Sequence, residues 1–60
     1  MSLPNDPLIL VSVVNTKLRD YYPNLDALCE DLGEERMELE VKLSSVGYFY
    51  DELQNQFVIR

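Results

Sequence analysis

Residues 28–43 read LCEDLGEERMELEVKL and carry the clearest indication of the architecture. Leu28 and Leu32 lie about one helical turn apart, and Gly33 follows where a helix often ends in the left-handed conformation. Cys29 is small enough to lie where two helices approach closely. A small residue, a turn glycine and further apolar positions in this order have the spacing of a helix-turn-helix. Glu34 departs from the pattern, because the position after the turn glycine is usually apolar.

The second half of this stretch is compatible with a strand or a helix. Apolar residues alternate with charged ones, as is typical of a strand, at Met37, Leu39, Val41 and Leu43. A helix would instead direct Leu39, Leu43 and Val46 inward and leave Met37 and Val41 on the outer face. Gly47 can end such a helix, and the glutamate content favours one. We therefore predict a helix over residues 35–46.

Two helices are predicted before this stretch. Asp6 and Pro7 suit the N-cap and first position of a helix, which then has one apolar face at Leu10, Val14, Leu18 and Tyr21. The β-branched content of residues 8–14 makes a strand the rival interpretation, but the continuing face predicts a helix over residues 7–21. Leu8 and Ile9 fall outside this face. Asn24 can cap a second, shorter helix over residues 25–32.

The C-terminal residues indicate a β-hairpin. Two β-prone runs, at residues 48–50 and 56–59, flank a segment in which Asp51 and Asn55 can stabilise a turn. Residues 1–60 are therefore expected to form a single, mainly α domain, a three-helix helix-turn-helix-like fold with a small C-terminal β-hairpin.

The charge of the chain argues against nucleic-acid binding. Eleven acidic and five basic residues give a net charge of −6, whereas affinity for duplexes comes largely from lysine and arginine contacts with phosphates. Between residues 24 and 40 the chain has seven acids, and Arg36 is the basic residue of that stretch. A third helix with this charge would be repelled by a DNA groove.

The composition also predicts a protein that is not an enzyme. The sequence contains no histidine, and its one cysteine, Cys29, has acidic neighbours that would raise the pKa of the thiol. No nucleophile stands beside a base, and the acidic residues lack the order of a calcium-binding loop. We expect no cofactor, no metal site and no catalytic residues.

No membrane segment is expected. The apolar run at residues 8–14 is far shorter than the roughly 20 residues that span a bilayer. A single unpaired cysteine fits a reducing compartment, so a cytoplasmic location is predicted.

At full length the chain resembles an uncharacterised family of short bacterial proteins, domain-of-unknown-function family 4250. The matching stretches are Asn5-Asp6-Pro7, residues 13–20, residues 25–29, Gly47-Tyr48 with Tyr50-Asp51, and Asn55-Gln56-Phe57. The resemblance implies a bacterial source and a stand-alone protein. It implies no activity, cofactor or binding residue, because the family has none assigned.

These observations predict a non-enzymatic protein–protein interaction module whose partner protein is unknown. The alternative is a nucleic-acid-associated transcriptional regulator that uses the helix-turn-helix-like fold. So short a chain gains little stability from its own core, and small scaffolds commonly oligomerise. A symmetric homodimer is therefore expected, with its interface drawn from the apolar residues that the core leaves over, Leu8, Ile9, Met37 and Val41.

Overall fold

A computed structural model describes residues 3–60; residues 1 and 2 of the predicted single domain lie outside the described part. Within residues 3–60 the chain forms three helices and one antiparallel hairpin, which confirms the predicted fold class. The elements are α1 (Pro7–Asp20), α2 (Leu25–Leu32), α3 (Arg36–Ser44), β1 (Tyr48–Asp51) and β2 (Gln56–Ile59).

The first two helices begin where the sequence indicated. α2 also ends as predicted, whereas α1 ends at Asp20, one residue before the predicted end. The Asp6 carboxylate accepts hydrogen bonds from the backbone N–H groups of Leu8 and Ile9, and Pro7 occupies the first turn of α1. The Asn24 side chain accepts from the Ala27 N–H at the start of α2. Gly33 ends α2 with φ +69°, a left-handed conformation that glycine adopts without steric cost.

Residues 37–43 are helical and not a strand, but α3 is shorter than predicted. It runs from Arg36 to Ser44 with Ser45 as its C-cap, whereas the predicted helix ran over residues 35–46 with Gly47 as its C-cap. Gly47 instead closes a tight turn with φ +84° that leads directly into β1. Glu34 is exposed in the three-residue link between α2 and α3.

All three helices and β2 contribute to one apolar core. Its buried members are Leu10, Val11, Val14, Leu18, Leu25, Leu28, Cys29, Leu39, Leu43 and Phe57. Tyr21 was predicted to share this core, and that prediction is wrong, because its side chain is 73% exposed. The helix ends at Asp20, so the backbone of Tyr21 turns away (φ −127°) before its side chain can follow the buried face.

The hairpin packs against α1 and α2 through specific polar contacts. Tyr50 pairs with Phe57 in the strand register, and their ring centroids are 5.5 Å apart. The Tyr50 hydroxyl accepts from the Leu25 N–H at 3.1 Å and donates to the Asn55 side-chain oxygen at 2.7 Å. The Asn55 amide then donates to the carbonyl oxygens of Leu18 and Tyr22. The hairpin loop is therefore joined to the end of α1 and the start of α2.

No helix within residues 3–60 combines the length and the apolar character that crossing a bilayer would require.

Candidate interaction surface

The outer face of α3 carries two large apolar side chains. The side chains of Leu39 and Leu43 are buried in the core, so residues on the opposite side of α3 face outward. Met37 is 77% exposed and Val41 is 65% exposed. They lie four residues apart, so they are neighbours on the helix surface. We call this pair the α3 stripe.

The α3 stripe borders an open hollow of about 520 Å³. Its remaining lining residues are Glu38, Lys42 and Ser45, all exposed residues of α3 or of the turn that follows. An apolar floor with a charged and polar rim is the general arrangement of a protein-binding surface.

Leu8 and Ile9, the other predicted interface residues, lie in the first turn of α1. Both side chains are exposed, but neither lines the hollow beside α3. The structure therefore brings Met37 and Val41 together and leaves Leu8 and Ile9 on a different helix.

Leu53 is an exposed apolar residue that the sequence analysis did not single out. It lies in the hairpin loop and is 99% exposed. The preceding residue, Glu52, has its carboxylate 4.0 Å from the Arg36 guanidinium at the start of α3. The loop that carries Leu53 thus lies near Arg36 at the start of α3. The sequence does contain a signal for this residue: Leu53 stands between Glu52 and Gln54 in a polar turn, and a turn needs no apolar side chain.

The basic residue at the start of α3 is occupied by contacts within the chain. Arg36 donates hydrogen bonds to the carboxylates of Asp26 (3.0 Å) and Glu40 (3.1 Å), and its guanidinium lies 5.2 Å from the Tyr50 ring centroid. The hydrogen bond to Asp26 is the main reason that the pKa of Arg36 is raised. These contacts already compensate the positive charge of Arg36, so the guanidinium is not free to bind a phosphate.

A second, smaller cleft of about 280 Å³ separates the segment before α1 from α3. Its charged lining residues are Glu34, Glu38 and Lys42, and its apolar ones include Leu10 and Leu39. The structure places no group of three potential metal ligands together within residues 3–60.

Cys29 is buried between the helices, as its small size indicated. Burial raises the pKa of the thiol, and the attraction of Arg36 opposes this rise only in part. The thiol is therefore neutral at pH 7 and unsuited to nucleophilic chemistry.

Comparison with known proteins gives one result. A family model described as Domain of unknown function (DUF4250) matches residues 4–57. The searches of curated proteins and of solved structures gave no match.

Proposed function

The chain belongs to the DUF4250 family, a domain of unknown function, and from this starting point we propose that it is a non-enzymatic protein–protein interaction module of the bacterial cytoplasm that forms a homodimer. The observation that carries the proposal is the exposure of Met37 and Val41 side by side on α3. Covering exposed apolar surface favours association, because it removes that surface from water.

The charge distribution favours a protein partner over a nucleic acid. The α2–turn–α3 unit has the short glycine-containing link of a helix-turn-helix, so a transcriptional regulator is the alternative function. However, α3 and its link carry four glutamates against two basic residues, Arg36 and Lys42, and Arg36 is already paired with acidic side chains. A groove lined with phosphates would meet net negative charge at this helix and its link.

The chemistry of the chain supports a role other than catalysis. The sequence lacks histidine, and its one cysteine is a buried thiol whose pKa is raised. The polar groups that line the hollow beside the α3 stripe are one carboxylate, one ammonium group and one hydroxyl on an open surface. Such a surface does not exclude water, and water exclusion is what gives polar groups their catalytic strength.

Sedimentation equilibrium tests the homodimer. We expect the wild-type chain to exceed its monomer mass of 7.0 kDa at high micromolar concentration, and Val41→Lys to weaken this association by placing a charge in the stripe. Leu8→Lys tests the exposed Leu8 and Ile9 of α1 in the same way. Glu30→Gln, which makes the same change of charge on the exposed face of α2, is the matched control. A monomer at every concentration would contradict the homodimer.

A mobility-shift experiment at low salt tests the alternative. We expect no complex with mixed-sequence duplex DNA. A shifted band that disappears as salt is raised would identify the chain as a nucleic-acid-associated regulator and would contradict the proposal.

A further inference from the structure

We propose that two copies of the chain associate through antiparallel α3 helices, with Met37 against the partner's Val41 and Glu38 against the partner's Lys42. This inference rests on the proposed homodimer and names the surface and the orientation by which it forms. It follows from the arrangement of charge beside the α3 stripe.

Glu38 and Lys42 lie together on one flank of the stripe. Both line the hollow that Met37 and Val41 border. Both are exposed, and neither forms an ion pair within residues 3–60. They are four residues apart, so this flank is negative towards the N-terminal end of α3 and positive towards its C-terminal end.

The other flank of the stripe is already committed within the chain. Arg36 and Glu40 lie there and form an ion pair with each other, and Arg36 also binds Asp26. The free charges beside the stripe are therefore those of Glu38 and Lys42.

Twofold symmetry then selects the orientation of the two helices. In an antiparallel pair related by a twofold axis, each flank faces the same flank of the partner with its ends exchanged. Glu38 then meets the partner's Lys42 twice per dimer, while Met37 and Val41 cover each other. In a parallel pair, the flank with Glu38 and Lys42 would instead face the partner's other flank, whose charges are already paired within its own chain. Antiparallel helices also bring opposite ends of their macrodipoles together.

The dimensions of α3 indicate a weak dimer. Nine helical residues extend about 13 Å at 1.5 Å per residue, so α3 alone makes an interface at the small end of the known range. We therefore expect a dissociation constant in the micromolar range or weaker.

A charge-exchange cycle tests the orientation by sedimentation equilibrium. Glu38→Lys and Lys42→Glu each turn two attractive contacts per dimer into repulsive ones, and we expect each to raise the dissociation constant about tenfold. The double variant restores opposite charges in an antiparallel pair and keeps the net charge of −6. We expect its dissociation constant to return to within about threefold of the wild-type value.

Two controls keep this result specific. Glu30→Lys changes the net charge as Glu38→Lys does, but lies on the exposed face of α2; it should leave the dissociation constant nearer the wild-type value than Glu38→Lys does. Circular dichroism of each variant establishes that the helices are retained. Added salt should bring the dissociation constants of the single variants closer to that of the wild type, because salt screens exposed charges.

The outcomes separate this inference from the proposed function. If the wild-type chain dimerises but the dissociation constant of the double variant is raised by both single effects combined, the antiparallel α3 pairing is overturned and the homodimer stands. A chain that remains monomeric would overturn both.

Discussion

Asn15 shows how one side chain can attach a hairpin to a helix. Its side-chain oxygen accepts from the Phe57 N–H at 2.7 Å, and its amide nitrogen donates to the Phe57 carbonyl at 3.0 Å. These two backbone groups point away from β1, because residues of an antiparallel strand direct both groups to the same side. Asn15 therefore takes the place of a third strand at the otherwise unpaired edge of β2.

Replacing Asn15 by alanine should destabilise the fold. The substitution leaves two backbone groups of the buried Phe57 without their partner, and we expect the free energy of unfolding to fall by about 1–3 kcal/mol. Urea denaturation measures the change. Thr16→Ala is the matched control, since the exposed Thr16 hydroxyl donates only to the Ser12 carbonyl within α1. Equal effects at the two positions would contradict the role assigned to Asn15.

The three helices differ in how their N-terminal ends are satisfied. Asp6 and Asn24 accept backbone hydrogen bonds at the starts of α1 and α2. Glu35 occupies the N-cap position of α3 with an extended backbone (φ −83°, ψ 120°) but makes no side-chain capping bond. Aspartate is strongly preferred at N-caps, since its side-chain oxygen can accept from the N–H groups of the first turn. The helix that carries the proposed interface is thus the one with an uncapped start.

Substitutions at the N-caps of α3 and α1 should change the free energy of unfolding in opposite directions. We expect Glu35→Asp to raise the free energy of unfolding by about 0.5–1 kcal/mol at unchanged net charge, and Asp6→Ala to lower it by about 0.5–2 kcal/mol. Urea denaturation at one protein concentration gives both values. If Glu35→Asp left stability unchanged, the start of α3 would have to be satisfied without a side-chain cap.

The whole molecule has a small core for its length. Within residues 3–60, ten hydrophobic side chains are buried and no polar or charged residue is buried. A chain of 60 residues buries only about 60% of the surface that its unfolded form exposes. Any association of the folded form therefore adds noticeably to its stability.

Thermal unfolding should accordingly depend on protein concentration. A dimer that binds folded chains raises the midpoint temperature as concentration rises, by about 4–8 °C for each kcal/mol gained in a domain of this size. We expect this dependence in the wild-type chain and its loss in Val41→Lys. Calorimetry over a hundredfold range of concentration measures it. A midpoint that does not change with concentration in the wild type would contradict an association that stabilises the fold.

The sequence by itself determined where the first two helices begin and where the hairpin turns. Asp6, Asn24, Gly33 and Asp51 act on backbone groups within a few residues. Such bonds join residues that are close together in the sequence, so their residue types suffice to predict them. The outward position of Met37 and Val41 followed in the same way once a helix was preferred over a strand.

Only the tertiary structure decided which side chains meet across the molecule. Asn15 reaches Phe57, Arg36 reaches Asp26 and Glu52, and the loop of Leu53 comes to lie beside α3. It also separated Leu8 and Ile9 from the α3 stripe and turned Tyr21 away from the core. These positions depend on how the helices and the hairpin pack, and packing is set by contacts between residues far apart in the chain, which no local pattern records.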